Sequence, residues 1–156
     1  MPDSPKLLIP QFGRLYDPFR PVTEPLIRLI AGGALAWHGQ QILFGGLEGA
    51  ANFFESVGFE DGLLWAWIVG ILEFVCGLCL ALGLFTRLAA FVASGEMAVA
   101  YVQFHWLKSG VFLPTAREQG GNGGELALLY AFVFLFIACK GSGIWSLSAA
   151  RRRSVG

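Results

Sequence analysis

The sequence predicts an all-α integral membrane protein, a bundle of four transmembrane helices with both termini in the cytoplasm. Hydrophobic residues make up 55% of the 156 residues and charged residues only 14%, whereas soluble domains carry about 25% charged residues. Four segments approach the roughly 20 apolar residues that a spanning helix needs. Because a soluble fold could not cover so much apolar surface, this composition argues against a water-soluble enzyme, a nucleic-acid-binding protein and a disordered chain.

The four predicted spans follow one another in the chain. They cover residues 26–44, 63–84, 88–107 and 124–139, and the fourth has an open continuation to residue 147. Open strands cannot cross a bilayer, so the spans are predicted as helices. The chain thus divides into an N-terminal segment (1–25), a four-helix membrane domain (26–147) and a basic tail (148–156).

The distribution of charges predicts the orientation. The loop over residues 45–62 has four acidic residues and no basic one, and Lys108 and Arg117 are the two basic residues on that side of the bundle. By the positive-inside rule, the other nine indicate that both termini are cytoplasmic. These nine are Lys6, Arg14, Arg20, Arg28, Arg87, Lys140, Arg151, Arg152 and Arg153.

Three ionisable residues lie at similar depth inside the predicted spans, where each costs at least a few kcal/mol and is a functional candidate. Glu73 and Glu96 are at the middle of the second and third spans, and His38 is about 5 Å outward from the middle of the first. Small residues on the same faces allow close helix packing, so these groups are expected to point into helix contacts. Because two ionised carboxylates would repel, at least one is expected to be protonated. We predict catalytic proton exchange by these three residues.

Further polar residues extend these faces outward and are predicted to contact a substrate. Gln41 follows His38 on the first span, and Gln103 follows Glu96 on the third. His105 ends the third span, while Asn122 and Glu125 begin the fourth. The alternative is that such buried groups serve only as hydrogen-bond links between helices, worth about 1 kcal/mol each.

The cysteines do not predict a redox or metal site. Cys76 and Cys79 form a C-x-x-C pattern in mid-helix and in apolar surroundings, where thiols stay protonated and pack as small residues. No zinc or iron–sulfur spacing is present. His38 and His105 differ in height by roughly 7 Å, a poor arrangement for two axial ligands of one haem. No metal is therefore predicted.

Six sequence blocks in order carry a resemblance to a known family. They are residues 38–45 (HGQQILFG), 53–59 (FFESVGF), 72–87 (LEFVCGLCLALGLFTR), 97–101 (MAVAY) leading to His105, 122–125 (NGGE) and 141–147 (GSGIWSL). With these blocks the chain resembles the DoxX family of four-helix membrane proteins over about residues 26–148. It departs from the family at Ile42, where Lys is frequent, at Cys76 and Cys79, where small residues are frequent, and at Ser148, where Asp is frequent.

The resemblance implies a redox role in the bacterial or archaeal cytoplasmic membrane. The family takes its name from a subunit of an archaeal thiosulfate:quinone oxidoreductase, so a quinone is the implied cofactor or substrate. The chain has no flavin, iron–sulfur or haem motif, so a protein partner would supply the electrons.

Two other functions stay open, as does homo-oligomer formation. The first is a non-enzymatic membrane anchor or assembly partner; a distant relative in the family is a receptor-assembly chaperone. The second is a small-solute carrier, for which four helices without a broken midplane helix leave little room.

Overall fold

A computed structural model describes residues 13–112, 120–143 and 145–148. Within these ranges all regular secondary structure is helical, which confirms the predicted all-α class. The elements are α1 (Gly13–Tyr16), α2 (Arg20–Gly45), α3 (Leu47–Ser56), α4 (Gly62–Leu82), α5 (Thr86–Ala100), a π-helical segment (Tyr101–Trp106), α6 (Leu107–Ser109) and α7 (Glu125–Lys140). The predictions for residues 1–12, for Arg117 and for the arginines of the tail lie outside the described residues.

The long helices pack as two pairs, α2 with α4 and α5 with α7, and α4 joins the pairs through α5. Glycines bring the backbones of α2 and α4 into contact. A Cβ atom on Gly32 would lie 2.7 Å from the backbone nitrogen of Ala81, and one on Gly77 would lie 2.6 Å from the Cα of Ala36. Small residues at such a contact let two membrane helices approach closely.

The ends of α4 follow from local chemistry. The side chain of Asp61 accepts a hydrogen bond from the backbone N–H of Leu64 at 2.9 Å, which caps the start of the helix. Gly83 takes a left-handed conformation (φ 71°) directly after Leu82, the usual way a helix ends. The second predicted span therefore matches α4 to within two residues.

The last helix, α7, does not continue to residue 147, which the sequence left open as its end. α7 ends at Lys140 because Gly141 turns away with a φ of 95°. Beyond this point the buried Arg28 of α2 donates hydrogen bonds to the backbone carbonyls of Ser142 and Trp145. The segment after α7 is therefore held against the start of α2 instead of extending the helix.

One described helix, α4, is by itself long and apolar enough to cross a membrane. Of the other predicted spans, α5 has 15 residues before its π-helical segment and α7 has 16. α3 was not predicted; it lies within the acidic connection and packs its buried Ala51 and Phe54 near Ala66 of α4.

Candidate functional site

An open cavity of about 1220 Å³ lies between α2, α3, α4, the α5–π-helical unit and α7. Its wall is mostly apolar, and many of its residues are aromatic. Six polar side chains interrupt that wall: His38, Gln41, Glu73, Glu96, Gln103 and His105. These six are among the eight residues predicted as a site, whereas the other two, Asn122 and Glu125, are not among the lining residues of the cavity.

His38 and Glu73 form a hydrogen-bonded pair between α2 and α4. Nδ1 of His38 lies 2.6 Å from Oε2 of Glu73. Gly39 makes this distance possible, because a Cβ there would lie only 2.9 Å from the Cβ of Glu73. The Glu73 side chain is 3% exposed, but that of His38 is 68% exposed. His38 was expected to point into a helix contact, and its imidazole does reach Glu73 of α4, although most of the His38 side chain is exposed.

Glu96 brings a second carboxyl to the same place. Its side chain on α5 interacts directly with the carboxyl of Glu73 on α4. Its Oε2 is buried and has no hydrogen-bond partner among the described residues. Two adjacent carboxyls repel if both are ionised, and a buried oxygen without a donor is costly. The arrangement can therefore hold a shared proton and accept a hydrogen bond from a further group.

The π-helical segment provides the outer polar residues of the cavity. Gln103 and His105 belong to it and line the cavity, opposite Gln41 of α2. Nδ1 of His105 donates to the backbone carbonyl of Asn122 at 3.3 Å. π-Helical turns are rare and are frequent at functional sites, and here one directs two hydrogen-bonding side chains toward the same opening.

Asn122 holds the connection before α7. Its side chain is fully buried and donates to the carbonyl of Val111 at 3.0 Å and to the hydroxyl of Tyr101 at 3.2 Å. Its Oδ1 accepts from the backbone N–H of Gly124 at 2.7 Å. Glu125 begins α7 and is exposed. The structure thus gives Asn122 a positioning role beside the cavity and places Glu125 away from its wall.

Sequence reasoning missed the aromatic wall. Phe54 packs edge-to-face against Phe59 and Phe104, with ring centroids 5.6 and 5.9 Å apart, and Phe53 lies 5.2 Å from Phe104. These rings line the cavity beneath α3. The phenylalanines at positions 53, 54 and 59 of the acidic connection were the available signal in the sequence. Their place in the cavity wall could not be inferred without α3, which carries Phe53 and Phe54.

Comparisons with known proteins connect this site to a family. The DoxX family profile matches residues 25–106, a range that runs from the start of the first predicted span to the end of the π-helical segment. An "uncharacterized protein" of Haemophilus influenzae is 47% identical over 108 residues, covering 65% of this chain and 77% of the relative. An "uncharacterized membrane protein" of Mycobacterium tuberculosis is 30% identical over 144 residues, covering 88% of this chain and 86% of the relative. No solved structure matches.

Proposed function

The chain belongs to the DoxX family of membrane proteins, and we propose that it binds a quinone or a similar apolar carbonyl compound in the cavity between its helices. In this proposal it is the membrane subunit of a redox system in a bacterial or archaeal cytoplasmic membrane. The observation that carries the proposal is the set of His38, Glu73 and Glu96 on the wall of a mostly apolar cavity.

The proposal includes four membrane spans, formed by α2, by α4, by α5 with its continuation to α6, and by α7. The outer surfaces of these helices support it, because large apolar side chains such as Ile30, Trp37 and Phe132 are more than half exposed. Extended apolar surface of this kind is rare on soluble monomers. Arg28 and Arg87 both lie near the end of α7, which fits a cytoplasmic position for that end of the bundle.

The polar groups suit the two oxidation states of a quinone. A carbonyl oxygen of the quinone accepts hydrogen bonds, as from His38 or a protonated carboxyl, while a quinol hydroxyl donates one, as to the carboxyl of Glu96. The cavity exceeds the roughly 300–1,000 Å³ of ordinary ligand pockets, so it has room for a head group and part of an apolar chain. Reduction consumes two protons and two electrons. His38, Glu73 and Glu96 would exchange the protons, and a partner redox protein would supply the electrons.

The test is binding of decylubiquinone to the protein purified in mild detergent, followed by quenching of tryptophan fluorescence, since Trp65 lines the cavity. Glu73→Gln should weaken binding about tenfold or more, because hydrogen bonds to charged groups contribute about 1.5–3 kcal/mol. Glu48→Gln, on the exposed face of α3, is the matched control and should bind as the wild type does. A wild-type protein that neither carries nor binds quinone would refute the proposal, as would unchanged binding by Glu73→Gln.

The second candidate is a non-enzymatic anchor or assembly partner, which the hydrogen bond between His38 and Glu73 favours by linking α2 to α4. In that case Glu73→Gln lowers the stability of the bundle or the recovery of a partner protein. Neither the wild type nor the Glu73→Gln variant then binds quinone. Measuring unfolding and ligand binding on the same samples separates the two functions.

A further inference from the structure

A second pocket, of about 590 Å³, lies where α4 turns into α5 and where α7 ends. It shares no lining residue with the first cavity. Residues 85–88 form one wall, and residues 140–143 with Ser148 form the other. The proposed topology puts this end of the bundle at the cytoplasmic surface of the membrane.

The first wall presents the N-terminus of a long helix. The first backbone hydrogen bond of α5 runs from the N–H of Ala89 to the carbonyl of Phe85 at 3.0 Å. The preceding residue, Phe85, has no side-chain acceptor with which to cap the helix. The amides of residues 86–88 therefore lack a partner within the helix, and helix N-termini of this kind favour anions.

Thr86 gives an independent indication of a ligand. It lines the pocket, is 4% exposed, and its hydroxyl oxygen has no hydrogen-bond partner among the described residues. Buried hydroxyls are normally paired, because an unpaired one loses its bond to water without replacement. An acceptor oxygen bound at this wall would satisfy the Thr86 hydroxyl together with the free amides.

The charged side chains of the pocket are both cations. Arg87 extends along the turn after α7, so that a Cβ on Gly141 would lie 3.2 Å from its Nε. Nζ of Lys140 lies 3.5 Å from Oε1 of Glu24, but both side chains are partly exposed. Glu24 therefore competes only weakly with a bound anion for Lys140. No acidic side chain occurs among the described lining residues. Arg and Lys together are the usual partners of a phosphoryl group.

We propose that this pocket binds a phosphoryl group through the N-terminus of α5, Thr86, Arg87 and Lys140. The group belongs either to a phospholipid head group or to free phosphate. In the first wall of the pocket, Phe85 is 76% and Leu88 66% exposed, and these side chains offer an apolar surface to acyl chains. This neighbouring surface makes the head group of an anionic phospholipid the expected ligand.

The experiment compares two probes on the full-length protein in mild detergent. Native mass spectrometry measures retention of phosphatidylglycerol from mixed micelles, and the unfolding temperature is followed with inorganic phosphate at constant ionic strength. Arg87→Gln should weaken retention tenfold or more. Thr86→Val, which keeps the side-chain shape, should weaken it without lowering the unfolding temperature. Lys108→Gln removes one exposed cation of α6, beyond the π-helical segment that follows α5, and should leave retention unchanged.

The outcomes separate the sources of the ligand. Retention of phosphatidylglycerol with no effect of phosphate identifies a lipid site, whereas stabilisation by phosphate that Arg87→Gln abolishes identifies a site for free phosphate. The proposal is overturned if the wild type responds to neither probe. It is also overturned if Arg87→Gln and Thr86→Val retain as much lipid as Lys108→Gln does.

Discussion

Replacing Gly39 by Ala should separate α2 from α4 at the point where His38 meets Glu73. A Cβ atom at this position would lie 2.8 Å from the carbonyl oxygen of Gly70 and 2.9 Å from the Cβ of Glu73, and it would also meet the backbone nitrogen of Phe74. Since these neighbours belong to one rigid helix, they have no flexible end that can move aside. The helices must therefore move apart by about half an ångström or more, because packed interiors have no spare volume.

The expected cost follows from comparison with a glycine on the same helix. A Cβ on Gly33 would have no neighbour within 4 Å, so Gly33→Ala should gain up to about 1 kcal/mol from helix propensity alone. Gly39→Ala has the same gain but adds overpacking of about 1–3 kcal/mol. Gly39→Ala should therefore be less stable than Gly33→Ala by about 1–3 kcal/mol.

Unfolding of both variants in mild detergent, followed by far-ultraviolet circular dichroism, measures this difference. Quinone binding should weaken in Gly39→Ala as well, because the 2.6 Å contact between Nδ1 of His38 and Oε2 of Glu73 lengthens with the helix separation. Equal stability of the two variants would show that α2 and α4 are not in backbone contact. The explanation of the His38–Glu73 geometry would then fail.

Two further predictions concern the ends of the bundle. Arg28→Met should release the segment after α7, because the carbonyls of Ser142 and Trp145 lose their charged donor. Loss of hydrogen bonds to a charged group should lower the free energy of opening this segment by about 1.5–3 kcal/mol. Hydrogen exchange over residues 141–148 should become faster, and unchanged exchange would contradict the prediction. Asp61→Ala should lower the free energy of unfolding by about 1 kcal/mol, because the N–H of Leu64 loses the acceptor that caps α4. Asp61→Asn keeps an acceptor oxygen and should retain most of that stability when both variants are unfolded by heat.

The positions of the long helices were predictable because long apolar runs carry a strong signal. The pairing of Glu73 with His38 was also predictable, since both lie at one depth on faces rich in small residues. The exposure of His38 could not be predicted, because the space beside α2 depends on the distance of α5 and α7 from α2. That distance is a property of packing, which a single helix does not encode.

Short and irregular elements account for the rest. α3 has ten residues, too few for a pattern that distinguishes a helix from a loop. The π-helical turn after Ala100 leaves no mark in the hydrophobic periodicity, and it changes which side chains reach the cavity. Asn122 is recognisable in the sequence as a polar residue at the start of the last span. Its hydrogen-bond partners, however, include Val111, Tyr101 and Gly124, which only the folded chain brings together.

The carboxyl of Glu96 offers the best distinction between a structural network and a ligand site. In a network that only links helices, each buried polar atom is expected to find a partner within the protein, as Glu73 does with His38. Oε2 of Glu96 does not find one among the described residues, and Glu96 is one of the residues that line a cavity large enough for an organic molecule. A ligand that donates a hydrogen bond to the Glu96 carboxyl would satisfy this unpaired atom, whereas an anchor function does not require such a ligand. The unpaired Oε2 of Glu96 is therefore the specific reason to test this cavity for a bound ligand.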